Sequence, residues 1–331
     1  MGGARPDVDW AMLRRYADRQ ADLVTRAQCL AAGLTDRVIG WRLETGRWSL
    51  VHEGVYLTKP GRADWISRAR AALLYSGVGV PAIHAALAGR SALHLWGLER
   101  SEPQVVEVVV PETRRVAPVD GVRVRRVSRF ASVIDPTGDP FRTTVVASVL
   151  DVATHGTPLD ALSLVARAVQ KEMVTGRQLR QEIVDRGGHR YSKLLKVALA
   201  DVEEGAESGA EVLYIRDVER AHGLPRAVRQ ARAVGPDGNQ RHDNRYDRYR
   251  LVLEVDGRLG HETWRDRVRD GRRDRSQLGQ DRVTTRVFFA DVAITPCQTA
   301  YDVAAILRSR GWTGTPRACR RPGCMIRTPD P

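Results

Sequence analysis

Apolar positions recur at helical spacing from the first residues onward: Val8, Met12, Leu13 and Tyr16 fall on one face of a helix. Thr25 stands where a capping hydroxyl belongs, ahead of a short helix over 25–34 (TRAQCLAAGL) with Gly33 near its end. Thr35 opens another over 35–46, stopped by Gly46. Trp48, Leu50 and Val51 then run through His52, Glu53 and Gly54 into Val55, Tyr56 and Leu57, which predicts strand, turn and strand. Three helices and a terminal hairpin predict a winged helix-turn-helix over residues 1–60. The helix over 36–45 is then the one that enters a DNA major groove, with Arg37 and Arg42 outward and Arg47 on the wing.

Residues 61–205 predict a mixed α/β region. An Ala-rich helix over 65–75 and a buried helix over 91–97 precede strands at 105–111 (VVEVVVP) and 122–126 (VRVRR). Helices follow at 147–153 and 159–171, with Leu95, Trp96, Leu150 and Val165 as core. Residues 193–206, with an acidic end, read as a hinge into a last domain, 206–312. There a helix starts at Glu207, capped by Ser208 and closed by Gly223. Three strands, a charged helix over 262–277, a strand over 284–289 and a helix over 296–310 complete an α/β order. The fold class expected for the chain is therefore multidomain α/β.

The second of those strands carries candidate chemistry. Alternate side chains of a strand share a face, so Glu254 and Asp256 point together, about 6.6 Å apart between Cα atoms. With Asp243 on the neighbouring hairpin strand, three carboxylates converge. Such a cluster calls for a divalent cation, and hard oxygen donors suit Mg²⁺ or Mn²⁺. Asp243, Glu254 and Asp256 are the expected metal ligands.

Charge widens the picture. Among 331 residues, 53 are basic and 40 acidic, for a net charge of +13. Only four of the basic residues are lysine (Lys59, Lys171, Lys193, Lys196), which leaves 49 arginines. Codon usage explains arginine over lysine but not basic over acidic, so DNA is the expected partner. No apolar run is long enough to span a membrane, and the opening MGGARPDVDW lacks an apolar signal core, so a cytoplasmic protein is expected. Four cysteines do not make a disulfide framework. Cys319 and Cys324 have the spacing of half a zinc site, but no histidine follows His261 and Cys297 is the only nearby thiol. Residues 313–331 are accordingly expected to be a flexible tail.

Two stretches resemble known families. Thr25-Arg26-Ala27-Gln28, Ala32-Gly33-Leu34, Gly46-Arg47-Trp48 and Gly54-Val55-Tyr56 resemble the N-terminal domain of AbiEi-type antitoxins of type IV toxin–antitoxin systems. That resemblance implies a winged helix on promoter DNA and a nucleotidyltransferase toxin as a second partner. About 105 residues, from Ser208 to Trp312, resemble the Vsr-like endonuclease domains of the PD-(D/E)XK superfamily. The matching residues are Glu211, Arg241-x-Asp243, Glu254-x-Asp256-Gly257, His261, Asp270, Arg273, Asp274 and Arg286. The resemblance implies a metal-dependent DNA endonuclease in which Glu211, Asp243, Glu254, Asp256 and His261 are catalytic. Glu211 would orient the water, His261 would serve as general acid or base, and Arg273 or Arg286 would hold the phosphate. The chain departs from the pattern at Asp256, where the superfamily places lysine, at Gly260, and in the polar run Asn244–Arg248. These departures leave a second reading open: a non-catalytic repressor of the antitoxin type on a degenerate nuclease fold.

Overall fold

The computed structural model describes residues 8–62, 64–77, 84–204, 209–235, 238–256, 278 and 281–327, without side chains at 201–204 and 230–243. The chain is mixed α/β and divides into two compact units, residues 1–152 and 153–331. No described helix is long and apolar enough to cross a membrane.

The first unit begins with α1 (Trp10–Arg19), β1 (Leu23–Thr25), α2 (Arg26–Ala31), α3 (Asp36–Glu44), β2 (Ser49–His52) and β3 (Val55–Leu57). Local chemistry fixes these boundaries. Asp9 accepts a hydrogen bond from the Met12 amide at 2.8 Å and so caps α1. Thr25 and Gln28 satisfy each other's backbone amides in a capping box that starts α2, and Thr35 caps α3. The strands form an antiparallel sheet in the order β1-β3-β2. Leu13, Val24, Cys29, Ile39, Trp48 and Tyr56 close a core beneath it.

No break occurs at 60/61. Helix α4 (Trp65–Gly77) buries Ala71 against Leu23, Val55 and Leu57 on one side. On its other side, Ala69 and Ala72 meet Leu87, Val106, Val108 and Val110 of a second sheet. The small alanines let one helix serve both layers. That sheet contains β4 (Ala86–Leu87), β5 (Val106–Pro111), β6 (Val122–Val127), β7 (Ile134–Asp135) and β8 (Arg142–Thr143), in the order β6-β5-β4-β8-β7. Helix α5 (Gly89–Leu95) packs on β5, α6 (Phe130–Val133) follows β6, and α7 (Val145–His155) follows β8. Valines 108 to 110 are buried on both faces of β5, whereas β6 alternates valine with exposed arginine as an edge strand does.

Asp22 is the tightest charged turn of this unit. It adopts φ +64°, its carbonyl accepts from the Thr58 amide and hydroxyl, and its carboxylate meets Lys59 and Arg62, each at 2.7 Å. The Lys59 hydrogen bond, aided by Arg62, outweighs partial desolvation and holds the Asp22 carboxyl below its ordinary range. A depressed carboxyl stabilises the fold above its unfolded pKa of about 3.9, and the benefit fades as pH falls through the lower folded value. Asp22→Asn is therefore expected to cost about 1 kcal/mol at pH 7, and less as pH falls through the lowered value of the Asp22 carboxyl. Urea unfolding at neutral and at acid pH checks this; an equal loss at both would remove the charge from the explanation.

In the second unit, α8 (Pro158–Gln170), α9 (Gly176–Asp185) and α10 (Ser192–Glu204) precede the sheet. The segment expected as a hinge, 193–206, is largely α10, which buries Leu195, Ala198 and Leu199 and packs on α8, α9 and α11 (Gly209–Leu213). The compact units divide at 152/153. Helix α11 continues into a π-helical turn, Tyr214–Arg220. Strands β9 (Val228–Gly235), β10 (Gly238–Tyr246) and β11 (Leu251–Asp256) form an antiparallel meander, and β12 (Val283–Phe288) joins β11 in parallel. The sheet order is β12-β11-β10-β9, followed by α12 (Phe289–Ala293) and α13 (Pro296–Ser309).

Candidate functional site

Strand β11 is LVLEVD, buried from Leu251 to Val255. Its two faces differ. Leu251 lies opposite Tyr246 and Leu253 opposite Asn244 on β10, so these four and Val255 share one face. Val252, Glu254 and Asp256 share the other, joined in register by Thr284, Arg286 and Phe288 of β12. Asp243 precedes Asn244 on β10, next to the last pair of that ladder, Asn244–Leu253.

Glu254 is nearly buried, and its Oε2 accepts from the Arg286 Nη2 at 3.1 Å. The acid that heads the expected metal site therefore has a guanidinium at its side, on the adjacent strand. Asp256 is half-buried at the strand end. Glu211 is half-buried on α11, which packs against β11. The structure thus brings Glu254, Asp256 and Arg286 to one sheet face, with Asp243 on the neighbouring strand β10. The side chain of Asp243, and all of His261, Asp270, Arg273 and Asp274, lie outside the described residues. Asp247, the other acid of that hairpin, is exposed in a single helical turn (Asp247–Tyr249) and paired with Arg245 at 2.6 Å, away from the Glu254 rung.

The opposite face carries a polar network that the sequence reading missed. Glu219, 3% exposed, receives the Arg229 guanidinium at 2.5 Å, the Ala227 amide at 3.1 Å and the Tyr246 hydroxyl at 3.2 Å. Tyr246 in turn meets the Tyr214 hydroxyl at 2.8 Å. Burial pushes both phenols well above their ordinary pKa. The network fastens the π-helical turn to β9 and β10, behind the carboxylate face. Glu219 lies in the charged run Arg216-Asp217-Val218-Glu219-Arg220, so nothing local in the sequence marks it as the buried acid.

The N-terminal surface corrects one assignment. Arg42 does not face outward: its guanidinium lies 4.4 Å from the Trp10 ring centroid and 5.1 Å from that of Trp48. Burial lowers the Arg42 pKa from its ordinary value. Trp48 itself is core, not wing surface. The exposed set is Arg37, Trp41 and Arg47, with the Arg47 guanidinium stacked 4.7 Å over the Trp41 ring. Trp41 is 45% exposed, and an exposed aromatic capped by arginine is a ready contact for a sugar–phosphate edge.

No protein-family model matches this chain, and no curated protein matches it.

Proposed function

We propose that the chain is a DNA-binding protein whose second unit carries a metal-dependent endonuclease-like domain. The observation that carries this reading is the sheet β12-β11-β10-β9, a meander with one parallel addition, presenting Glu254 and Asp256 together on the strand beside Arg286. A helix, three strands and a parallel fourth is the order expected of the PD-(D/E)XK core. The order α1-β1-α2-α3-β2-β3, with sheet order β1-β3-β2, is that of a winged helix, and it supports DNA contact through Arg37, Arg47 and Trp41.

The donors Asp243, Glu254 and Asp256 are hard oxygens and fit Mg²⁺ or Mn²⁺ better than a soft metal. The metal, when bound there, supplies an activated water and neutralises charge on the phosphate. Arg286 can hold a phosphate oxygen, and Glu211 on α11 can orient water.

One observation favours a second reading, a non-catalytic repressor that pairs with a nucleotidyltransferase toxin: the Glu254–Arg286 ion pair occupies the very carboxylate that should meet the metal. One preparation separates the readings. Binding to a DNA fragment and nicking of supercoiled plasmid are measured with Mg²⁺ and with Mn²⁺, for the parent and Glu254→Gln. Cleavage that drops on the order of a thousandfold in the variant, with binding kept, is the expected result. Tight binding without cleavage in either metal would overturn the enzyme and leave the repressor.

A further inference from the structure

The C-terminal segment expected as a flexible tail is folded against the second unit. After Trp312 it has no regular structure until a single turn at Met325–Arg327, yet Cys324 is buried. Its apolar content does not account for that order. What anchors it is a cluster of His222, Cys297, Cys319 and Cys324, whose ligand atoms all lie within 4.8 Å of one another.

Four features separate this cluster from chance packing. First, His222 is fully buried, and its Nδ1 bonds to the Arg317 carbonyl at 2.9 Å. Its Nε2 is buried with no hydrogen-bond partner. A buried imidazole nitrogen left unsatisfied is costly in a protein interior. A ring held by a backbone carbonyl through one nitrogen, with the other free to ligate, is the arrangement that metal-binding histidines adopt. Second, Cys297 and Cys319 sulfurs stand 3.6 Å apart. Sulfurs on a tetrahedral zinc, with bonds of about 2.3 Å, stand about 3.8 Å apart, whereas a disulfide needs about 2 Å. Third, backbone amides point at the sulfurs: Cys319 N to Cys324 Sγ and Arg321 N to Cys319 Sγ, each 3.4 Å. Such donors stabilise thiolate charge. Fourth, Cys297 lies in the first turn of α13, which fixes its sulfur beside those of Cys319 and Cys324.

We propose that His222, Cys297, Cys319 and Cys324 bind one zinc ion as a closed, structural Cys₃His site that clips the C-terminal segment onto the second unit. Four protein ligands leave no position for water, so the site is structural and not catalytic. Three thiolates and one Zn²⁺ carry a net charge of −1, and the segment supplies arginines around it. Arg327 donates to the Cys319 carbonyl at 2.6 Å, while Arg321 bridges to Asp217 at 2.9 Å. Gly323, at φ +70°, makes the turn that returns Cys324 to Cys319. The donor set is chemically distinct from the carboxylates of β11, so the proposal stands whether or not those bind a metal.

The test uses the full-length protein purified under reducing conditions without added metal. Elemental analysis is expected to find one zinc per chain in the parent and in Glu254→Gln, and less than about a tenth of that in Cys319→Ser or Cys324→Ser. Cobalt added to stripped protein is expected to give the intense visible bands of a tetrahedral thiolate site. Trypsin cleavage within residues 317–327 is expected to be about tenfold faster in the stripped protein and to slow again on adding zinc. Cys319 and Cys324 lie outside the helices and strands of the second unit, and far-UV dichroism checks that each serine variant is folded. A parent without zinc that also gives no tetrahedral cobalt spectrum would overturn the proposal. So would a Cys297–Cys319 disulfide in the freshly isolated protein.

Discussion

Glu219→Ala is expected to destabilise the second unit by about 3–4 kcal/mol. Three donors converge on this carboxylate: the Arg229 guanidinium, the Ala227 amide and the Tyr246 hydroxyl. Removing one partner of a buried ion pair leaves the other charge desolvated, and that loss dominates the cost. The amide and the phenol add the penalty of buried polar groups without acceptors. Glu219→Gln keeps the shape and an acceptor oxygen but loses the charge, so it should cost less, about 2 kcal/mol. Tyr246→Phe, which removes a single hydroxyl, should cost about 1 kcal/mol. Denaturant unfolding with far-UV dichroism reads all three. An alanine variant within 1 kcal/mol of the parent would mean that water replaces the carboxylate and that the network does not lock the π-helical turn to the sheet.

The second large effect separates two arginines of one helix. Arg42→Ala should lower the stability of the first unit by about 2 kcal/mol, because its guanidinium lies against both Trp10 and Trp48 and each partly desolvated cation–π contact is worth roughly 0.5–2 kcal/mol. Arg37→Ala touches nothing of that core and should leave the melting temperature within about a degree. Its effect should appear in DNA binding instead, as weaker affinity and a slope of log K against log salt reduced by about 0.9, the signature of one lost phosphate contact. Parallel melts and salt titrations decide the matter. If Arg42→Ala melts like the parent but loses the salt slope, its guanidinium leaves the tryptophans to reach DNA.

What the sequence revealed follows from how local each signal is. The starts of α2 and α3 were legible because each cap acts on a residue three positions on, Thr25 on Gln28 and Thr35 on Val38. The alternation of Glu254 and Asp256 was legible because a strand has period two. Strands β4, β7 and β8 were missed because two residues carry no period at all. Arg42 was placed on the wrong face for a tertiary reason: its partners, Trp10 and Trp48, come from a different helix and from the chain just before β2. The acidic end of 193–206 suggested a hinge, yet the buried Leu195, Ala198 and Leu199 decide its packing. The His/Cys cluster is half-visible in the sequence. Cys319 and Cys324 show the spacing of half a site, but no histidine follows His261, and His222, upstream of the sheet, is brought to them only by the fold. Period two places Glu254 and Asp256 on one face, but nothing in a one-dimensional string announces that Arg286 would stand across from Glu254.

The parallel seam between β11 and β12 imposes an order on assembly. Antiparallel neighbours can zip from a tight turn, so β9, β10 and β11 can meet as soon as they exist. The seam pairs residues 32 positions apart, Leu251 with Val283 through Asp256 with Phe288, which makes it the least local pairing in the sheet among the described residues. Until it forms, the greasy flank of LVLEV stands open to any passing chain. A nascent polypeptide on the ribosome meets that hazard for as long as translation takes to reach Phe288.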